Sequence, residues 1–562
     1  MNELDSELVS GQLRAMGYSF TQEREQADVV LYNTCSVREH AEQKVWSRLG
    51  EDRIRKQTRP GMVVGVLGCM AERDGTDLIR RMPVVDILIG PGELDKLPGL
   101  LDNAVRTRES LAADAGIAMT EFDESAVVPR LVSASQVALQ GNTSRRSATL
   151  AAAADNLEML DLSRSVSPDD HSGSAYVRIT RGCNKFCTYC VVPFTRGAEM
   201  HRPPRHIVDE CKRLADSGVI EITLLGQTVN HYRFEHGAAV ALDGVMQPQK
   251  GRSYAGGHSR DPFAGANTTT FADLLAMIHD EVPAIQRLRF VTSYPRDFGD
   301  DVLQVIRDHP RICRYLHVPA QSGSNRILEK MNRGYTVEEY LEFLDRSRAF
   351  LHQPEIGRPL TVAGDIIVGF PTETDADFAA TISLIEKARY KNCFIFKYSP
   401  RPGTIAFDKL DDDVPEDVKR RRNNELLAIQ HRVSARVSAE FVGTTLSVFV
   451  QGVSKRESKK REAAAAKPAP GAVALTLGGK SLTTGASCCD EATYIHDALN
   501  TLDGAIPPIG SAPIQLSART EGDIIVFFDA PTGAAPDSMI GRVVPVVIDR
   551  AEPLALHGRL TE

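Results

Sequence analysis

Residues 175–190, AYVRITRGCNKFCTYC, carry the strongest structural signal in the chain. The segment AYVRIT is predicted as a strand, and Cys183, Cys187 and Cys190 follow it directly in the spacing C-x3-C-x2-C. They form the only tight group among the ten cysteines of the chain. Thiols this close together in a reduced compartment can converge on one metal centre.

Two kinds of metal centre fit this spacing. A structural zinc ion needs four protein ligands, and the candidate for a fourth is His201, eleven residues beyond Cys190. Three thiolates on a four-iron cluster leave one iron open instead, and an open position marks a catalytic centre. We also expect the nearby Arg178, Arg181 and Lys185 to favour the thiolate forms. A structural zinc loop is the alternative.

From Tyr176 to about Pro400, strand patterns alternate with helical patterns. The predicted strands are AYVRIT, VIEITLLG, LRFVTS, RYLHVPA, LTVAGDIIVGF and CFIFKYS. Six β–α units in succession imply a parallel sheet with right-handed crossovers, and six are fewer than the eight of a closed barrel. We therefore predict an open, partial (βα)6 barrel over residues 174–440. A Gly-rich surface insertion at about 234–269 interrupts it.

Residues 1–105 show the same alternation and predict an N-terminal parallel α/β domain. ADVVLYNTC is a predicted strand that ends at Cys35, and MVVGVLGC is a second that ends at Cys69. A helix is predicted after Cys35, with Ser36 and Glu39 as its capping box. Both cysteines thus lie at the carboxyl edge of a parallel sheet, where ligands bind in such folds.

Two further segments are predicted from composition. Residues 106–173 lose the periodicity and predict a mostly flexible connector, with an Ala-rich helix near 148–160. Residues 415–440 predict a basic helix, because six cations face two acids between positions 417 and 436: Lys419, Arg420, Arg421, Arg422, Arg432 and Arg436. Such a run is either a solvated face or a surface for phosphates.

Short β patterns fill the C-terminal region, residues 441–562. TTLSVFVQG, DIIVFFDA and GRVVPVVIDRAE predict a small antiparallel β-barrel. A low-complexity insertion at about 453–514 splits it, and the adjacent Cys488 and Cys489 in this insertion receive no role.

Composition limits the class of protein. The chain has 562 residues and a net charge of −8, from 66 Lys and Arg against 74 Asp and Glu. This balance excludes a protein that is basic throughout, although it allows a local basic face. No apolar run approaches the ~18 residues of a membrane span, and the acidic start MNELDSELVS is unlike a secretory signal. We expect a cytoplasmic protein without membrane contact, whose cysteines serve metals rather than disulfides.

The cysteine motif, with the aromatic Tyr189 before its last cysteine, resembles the radical S-adenosylmethionine superfamily. A longer series of landmarks resembles one branch of it, the radical methylthiotransferases. In chain order these are NTCSVREHAEQKV, GVLGCMAER, DILIGP, GCNKFCTYCVVPFTRG, EITLLGQTVNHY, RFVTSYP, HVPAQSGSNRIL, DIIVGFPTET and SPRPGT. They span residues 1–440, and the C-terminal barrel is similar to the family's TRAM domain, an RNA-binding module.

The resemblance implies two 4Fe–4S clusters and S-adenosylmethionine as cofactors. Cys183, Cys187 and Cys190 would hold the cluster whose open iron chelates S-adenosylmethionine, and Cys35 and Cys69 would hold an auxiliary cluster with a third cysteine. In the implied mechanism, one S-adenosylmethionine methylates a sulfur associated with the auxiliary cluster. Cleavage of a second gives a 5′-deoxyadenosyl radical, which removes hydrogen from carbon 2 of an adenine before the methylthio group is attached.

The third auxiliary cysteine has no counterpart here, because no cysteine precedes Cys35. In the family it lies in a segment reading G-C-Q-M-N close to the N-terminus. One hypothesis is that the true start codon lies upstream, since MNELDSELVSGQL otherwise continues the family pattern. The other is a truncated chain with a damaged auxiliary cluster, which would be an inactive RNA-binding relative.

The landmarks also bear on the substrate. CSVRE and the unbroken VVPFTRG resemble the branch, called the MiaB type, that modifies isopentenyladenosine beside the tRNA anticodon. The alternatives within the family are threonylcarbamoyladenosine in tRNA and an aspartate of a ribosomal protein. The implied partners are a tRNA anticodon stem-loop, whose unstacked base can enter a pocket, and an electron donor for the cluster. We expect a monomer.

Gln227, Ser293 and Gln321 are predicted at or just past strand ends. These polar side chains either hydrogen-bond S-adenosylmethionine or cap the turns that follow the strands. Cys211, Cys313 and Cys393 adjoin predicted helices and strands and are expected in the core.

Overall fold

A computed structural model describes most of the chain. The described residues are 1–36, 39–114, 136–139, 156–164, 172–251, 267–465, 476–477, 480–481, 513–531, 533 and 535–561. Cys488 and Cys489 lie outside them, as do residues 37 and 38, which stand between Ser36 and Glu39 of the predicted capping box. No helix in these segments is long and apolar enough to cross a membrane.

Four parallel strands form the N-terminal sheet, in the order β1-β2-β3-β4. The elements in chain order are α1 (Asn2–Ala15), β1 (Val29–Thr34), α2 (Glu39–Thr58), β2 (Val63–Gly68), α3 (Cys69–Asp74), α4 (Thr76–Arg81), β3 (Ile87–Ile89), α5 (Leu97–Asp114), β4 (Gln136–Ala138) and α6 (Asn156–Leu162). Every residue of β2 is buried, as expected for a parallel strand covered by helices on both faces. β1 and β2 pair in register up to Thr34 and Gly68, so both end at one edge.

Part of the predicted connector belongs to this domain. β4 pairs in parallel with β3, and α5 continues to Asp114. α6, from Asn156 to Leu162, overlaps the end of the helix expected near 148–160, and the Ala-rich part of that prediction lies outside the described residues. A three-residue strand such as β4 gives no measurable periodicity, which is why the sequence did not predict it.

The central domain is an open, six-stranded partial barrel, as predicted. Its elements are β5 (Ser174–Arg178), β6 (Thr180–Arg181), α7 (Val192–Thr195), β7 (Met200–His201), α8 (Pro204–Asp216), β8 (Glu221–Leu225), β9 (Arg233–Glu235), β10 (Ala241–Leu242), β11 (Val245–Met246), β12 (Gln249–Lys250), β13 (Thr268–Thr270), α9 (Phe271–Glu281), β14 (Arg287–Phe290), α10 (Asp300–Asp308), β15 (Tyr315–His317), α11 (Asn325–Lys330), α12 (Val337–Leu351), β16 (Thr361–Val368), α13 (Asp375–Ala388), β17 (Asn392–Lys397), α14 (Ile405–Lys409) and α15 (Glu416–Ala439). β5, β8 and β14 form one parallel run, and β15, β16 and β17 form another. A parallel bridge between Leu288 and Ile312 connects the two runs.

The predicted surface insertion at 234–269 is partly built into the domain. β9 and β13 lie at the two ends of the insertion and pair with each other, and Phe234 of β9 is buried. β12 pairs with β7 next to the cysteine loop. The insertion therefore supplies structure beside the predicted metal centre.

The C-terminal region is a closed five-stranded barrel in the order β18-β21-β22-β24-β23. Its elements are β18 (Thr445–Val453), α16 (Lys455–Ala465), β19 (Thr476–Leu477), β20 (Lys480–Ser481), β21 (Gln515–Thr520), β22 (Ile525–Asp529), β23 (Val543–Ala551) and β24 (Ala555–Leu560). The small barrel is confirmed, with one difference: β22 and β24 pair in parallel. β21 and β24 were not predicted from the sequence, because their short segments, QLSART and ALHGRL, contain several polar residues and show no clear strand pattern.

The C-terminal barrel packs against the amino ends of the central strands. Arg287, the first residue of β14, donates to the carbonyl oxygens of Arg519 and Ser447 at 2.8 and 2.6 Å. Thr361, the first residue of β16, donates to Gly522 O at 2.7 Å. The small barrel thus lies at the opposite end of the central strands from the cysteine triplet.

Candidate active site

The cysteine triplet lies in the loop that follows β6. Gly182 has a φ of +65°, and a Cβ there would stand 2.1 Å from Ala198 O, so only glycine fits before Cys183. The Cys183 amide donates to Gly197 O at 3.2 Å. Cys190 N donates to Cys187 O at 3.0 Å, which turns the loop back on itself. These bonds fix the path of the chain through all three thiols.

Each sulfur accepts one hydrogen bond. The amides of Lys185 and Val192 approach Cys183 and Cys190 at 3.5 Å each. Arg333 Nη1 donates to the Cys187 sulfur at 3.3 Å. Arg333 lies in the turn between α11 and α12 and stacks 4.6 Å from the centroid of the Tyr294 ring.

Two of the three cations that neighbour the cysteine triplet form ion pairs with carboxylates. Arg178 is buried between Asp5 and Asp161, at 3.3 and 2.7 Å, and Lys185 pairs with Asp297. Burial raises the pKa of Cys183, and it raises the pKa of Cys190 to about 12. Arg178 and Lys185 thus pair with carboxylates, and the prediction that Arg178, Arg181 and Lys185 favour the thiolates stays a prediction.

Cys187 is buried and Cys183 and Cys190 are half-buried, and thiols gathered in this way fit an iron–sulfur cluster. A bound metal replaces the thiol proton as the positive partner of each sulfur, so a cationic centre is the natural ligand for them.

The cofactor residues predicted at strand ends lie where they were expected. Gln227 follows β8, Ser293 follows β14 and Gln321 follows β15. The Ser293 hydroxyl is buried and makes no hydrogen bond within the described residues. Gln321 has a φ of +73° and is held by its amide, which donates to Asp365 O at 2.8 Å.

Strained backbone is concentrated at this edge. Phe186, Thr292, Gln321 and Thr372 all have φ between 49° and 73°, and all lie in the loops that follow central strands. Non-glycine residues in this conformation are costly and are retained at ligand sites. The carboxyl edge of the partial barrel is therefore the candidate site, and a set of loops rather than one motif forms it.

Cys35 and Cys69 come together at the carboxyl edge of the N-terminal sheet. Each follows one of the paired residues Thr34 and Gly68, and Cys69 opens α3. Gly68 has a φ of +88°, and a Cβ there would stand 2.6 Å from Asn33 Oδ1. This glycine lets the chain turn directly from β2 into the helix that carries Cys69.

The two cysteine sites face each other. α3, which begins at Cys69, packs against α7, which follows Cys190. Arg196, just past α7, donates to Asp5 Oδ2 at 2.7 Å and is also within hydrogen-bonding reach of the Cys69 sulfur. Two carboxyl edges thus meet across one interface.

Glu42 forms ion pairs with arginines from two sequence landmarks, and one of these pairs crosses the same interface. Arg401 of SPRPGT donates to Glu42 Oε1 at 2.7 Å, and Arg73 of GVLGCMAER donates to the same oxygen at 2.7 Å. Sequence analysis missed Glu42, Arg333 and these contacts, because partners 31 to 359 residues apart in the chain leave no local pattern.

His201 does not complete the cysteine triplet. It groups instead with Glu199 and His231, whose possible ligand atoms all lie within 4.8 Å of its own. Burial lowers the pKa of His201 to about 4. The pKa of Glu199 is also lowered, because His231 and the cations around it outweigh the effect of burial.

Comparison with known proteins is consistent with these two sites. Residues 1–90 match the model of an uncharacterized protein family, UPF0004, and residues 177–385 match that of the radical SAM superfamily. These two ranges contain all five predicted metal ligands.

Curated relatives cover most of the chain. The tRNA-2-methylthio-N(6)-dimethylallyladenosine synthase of Rhodopirellula baltica is 40% identical over 459 residues, covering 82% of this chain and 83% of its own. The synthase of the same name from Christiangramia forsetii is 38% identical, covering 82% and 83%.

Solved structures show a more distant likeness. The radical S-adenosylmethionine methyltransferase TsrM from Kitasatospora setae has a TM-score of 0.42 at 15% identity, covering 72% of this chain and 74% of its own. Coproporphyrinogen III oxidase from Escherichia coli, a radical SAM enzyme, has a TM-score of 0.31 at 16% identity, covering 50% and 56%.

Proposed function

The chain belongs to the tRNA-2-methylthio-N(6)-dimethylallyladenosine synthase family of radical S-adenosylmethionine enzymes, and from this membership we propose that it methylthiolates tRNA. The reaction adds a methylthio group to carbon 2 of dimethylallyladenosine, also called isopentenyladenosine, next to the anticodon. The observation that carries the proposal is 40% identity over 459 residues.

We assign the ligands of the first cluster to Cys183, Cys187 and Cys190. When bound there, the 4Fe–4S cluster supplies the electron that cleaves S-adenosylmethionine to a 5′-deoxyadenosyl radical. Arg333 donates a hydrogen bond to the Cys187 sulfur, and two loop amides donate hydrogen bonds to the sulfurs of Cys183 and Cys190. Gln227, Ser293 and Gln321 then orient the methionine and adenosine groups at the strand ends.

We assign Cys35 and Cys69 to the second cluster. The support is their adjacency at one sheet edge and the packing of α3 on α7, which brings Cys69 near Cys190. A substrate base held between the two edges is within reach of both centres. The ion pairs of Glu42 and Asp5 hold this interface closed on both sides.

We propose that the anticodon arm of tRNA is held by the exposed cations of α15 and by the C-terminal barrel. Arg432 and Arg436 are exposed on α15, and the end of this helix is fastened to the barrel by the Ser438 hydroxyl, which donates to Pro553 O. All these parts come from one chain, which supports a monomer. None of the eight described cysteines is part of a disulfide, which supports a reducing cytoplasmic setting. An electron donor for the cluster is required there.

A direct assay tests the proposal. The full chain, reconstituted with iron and sulfide under anaerobic conditions, is incubated with S-adenosylmethionine, dithionite and tRNA carrying dimethylallyladenosine. We expect nucleoside mass spectrometry to detect 2-methylthio-dimethylallyladenosine. tRNA carrying threonylcarbamoyladenosine should remain unchanged, and its methylthiolation instead would overturn the substrate assignment.

Two cysteine variants separate the clusters. Cys69→Ser should keep the cleavage of S-adenosylmethionine to 5′-deoxyadenosine, lose methylthiolation and lose about half of the bound iron. Cys183→Ser should lose cleavage as well. Full methylthiolation by Cys69→Ser would contradict the assignment of the second cluster.

A further inference from the structure

Glu199, His201 and His231 form a compact polar cluster that the proposed reaction does not use. One ligand atom from each residue lies within 4.8 Å of the other two. Glu199 is fully buried and His201 is 3% exposed, whereas His231 is half-buried. Two imidazoles and a carboxylate gathered out of water are an unusual arrangement, since each needs a polar partner.

The carboxylate is already aimed at the centre of the cluster. Glu199 Oε2 lies 2.7 Å from His231 Nδ1, and Oε1 accepts a hydrogen bond from Thr228 Oγ1 at 3.1 Å. The ring centroid of His201 lies 6.0 Å from that of His231, nearly perpendicular to it. Within the described part of the chain, the buried His201 Nδ1 has no hydrogen-bond partner. This unsatisfied nitrogen is the second observation that points to a ligand.

The insertion closes over this cluster. β12 of the insertion pairs with β7, which ends at His201, and the Gly251 amide donates to Glu199 O at 2.7 Å. A Cβ at position 251 would stand 2.9 Å from His201 Nε2 and 3.1 Å from Glu199 Cβ, so glycine is required for this approach. His231 comes from the turn Val229–His231 that follows β8. Three separate segments therefore converge on one point.

The cluster is also tied to the cysteine loop. The Asn184 side chain accepts a hydrogen bond from Glu199 N at 3.0 Å and donates one to Gly251 O at 3.1 Å. Asn184 is the neighbour of Cys183 in the sequence. A ligand that fixes Glu199 would thus fix the insertion and the start of the cysteine loop together.

We propose that Glu199, His201 and His231 bind one divalent transition-metal ion, Zn²⁺ or Fe²⁺, which fastens the insertion to the cysteine loop. Two histidines and one carboxylate are a ligand set found with both ions, and three protein ligands leave a position open. Binding would replace the hydrogen bond between His231 and Glu199 with two metal bonds. It would also give His201 the partner that it lacks.

The test uses the full, cluster-containing chain and adds Zn²⁺ alone. After desalting, zinc and iron per chain are measured by elemental mass spectrometry, and affinity is measured by competition with a chromophoric chelator. We expect one zinc per chain in the wild type and an affinity more than about 100-fold lower in His231→Ala, since even outer-shell changes cost about 10–100-fold. His231→Cys, which restores a metal ligand, should bind zinc again.

Co²⁺ and Fe²⁺ identify the site and the ion. Co²⁺ should give visible d–d bands in the wild type and in His231→Cys, but not in His231→Ala. Fe²⁺ should give a Mössbauer doublet of isolated high-spin iron, separate from the clusters, if iron is the natural ion; zinc retained on purification would identify zinc.

A matched control comes from a second group of possible ligands, His279, Asp280 and His309, which lies elsewhere in the central domain. His309→Ala should bind Zn²⁺ as the wild type does. Unchanged cluster iron and sulfide in His231→Ala would show that this variant is folded. Zinc binding that is equal in the wild type and His231→Ala, or that is lost in His309→Ala, would overturn the proposal.

Discussion

Arg333 connects the turn after α11 to the cysteine loop, 146 residues away in the sequence. Its guanidinium contacts the Cys187 sulfur, the carbonyl oxygen of Pro319 and the ring of Tyr294. Hydrogen bonds to cluster sulfurs raise the reduction potential, because they stabilise the extra negative charge of the reduced state. Arg333 is therefore a positioning residue that tunes the first cluster.

Replacing Arg333 tests this role. A hydrogen bond from a charged donor contributes about 1.5–3 kcal/mol, and 1.4 kcal/mol corresponds to about 59 mV for one electron. We expect Arg333→Gln to lower the potential of the cluster by roughly 60 mV or more, measured by redox titration followed by electron paramagnetic resonance. Arg326→Gln is the control, since Arg326 pairs with Asp377 and not with a cysteine. Equal potentials in all three proteins would refute the role.

At this scale, the sequence predicted the residues that cluster locally and missed those that do not. The spacing of Cys183, Cys187 and Cys190 is visible within eight residues. Arg333 and Glu42 could not be found, because their partners come from other domains or distant turns. The carboxylates that pair with two of the cations next to the triplet could not be predicted either: Asp5 and Asp161 pair with Arg178, and Asp297 pairs with Lys185.

At the scale of elements, the turn from β2 into α3 sets the position of Cys69. Gly68 has a φ of +88°, and an added Cβ would stand 2.6 Å from Asn33 Oδ1 and 2.9 Å from Thr34 O. With ψ at −154°, this conformation is essentially confined to glycine, and an L-residue in it costs about 1–3 kcal/mol before any clash is counted. The strand and helix can therefore meet at this angle only through glycine.

Gly68→Ala should displace Cys69 and impair the second cluster alone. We expect loss of about half of the iron and of methylthiolation, while 5′-deoxyadenosine is still formed. Gly61→Ala is the matched control, because nothing lies within 4 Å of a Cβ at that position and it precedes the same strand. Wild-type iron content in Gly68→Ala would show that the turn does not govern the site.

Most long elements followed from the sequence. The six central strands are observed as predicted. The basic helix is observed as α15, but Lys419 and Arg422 are buried in ion pairs with Asp412 and Glu373. The number of charges along a sequence does not show which cations form buried ion pairs in the folded protein.

At the scale of the whole molecule, one pair of charges anchors the C-terminal barrel. Asp523, in the turn between β21 and β22, accepts from Lys391 at 2.8 Å at the start of β17. Burial alone would raise the pKa of Asp523, but Lys391 and two nearby arginines outweigh it and lower the pKa to about 2. The ionised carboxylate thus stabilises docking.

The lowered pKa of Asp523 determines how the stability of the docked barrel changes with pH. Because the folded pKa is about 2 and the ordinary value is 3.8, the stabilisation is present above about pH 4 and is lost as the pH falls through about 2. The difference between 3.8 and about 2 corresponds to roughly 60-fold in opening. We expect Asp523→Asn to speed amide hydrogen exchange in β21 and β22 by about this factor at pH 7, and the difference from wild type to disappear near pH 2. Asp529→Asn, an exposed site on the same barrel, should have no effect.

The exposed cations of α15 test how tRNA is held. Each phosphate contact that is lost should reduce the slope of log K against log salt by about 0.7–0.9. We expect the double variant Arg432→Ala and Arg436→Ala to weaken tRNA binding and flatten this slope in fluorescence-anisotropy titrations. Arg106→Ala, on the exposed face of α5, should leave both unchanged. An unaltered slope in the double variant would place the tRNA elsewhere.

The arrangement of the domains was only partly predictable. Strand ends at Cys35, Cys69 and Cys183 indicated two carboxyl edges, but not the packing of α3 on α7 that joins them. The docking of the barrel on the amino ends of the central strands depends on single long-range contacts such as Arg287 to Ser447. Contacts of this kind arise from the whole fold and have no local sequence signature.

The central claim is that this chain methylthiolates dimethylallyladenosine in tRNA. The most direct test is nucleoside mass spectrometry of tRNA from cells with and without the gene. We predict that 2-methylthio-dimethylallyladenosine disappears from cells without the gene and that the unthiolated nucleoside accumulates. The wild-type gene should restore the methylthiolated nucleoside, whereas the Cys187→Ala variant should not. An unchanged profile of methylthio nucleosides in cells lacking the gene would contradict the claim.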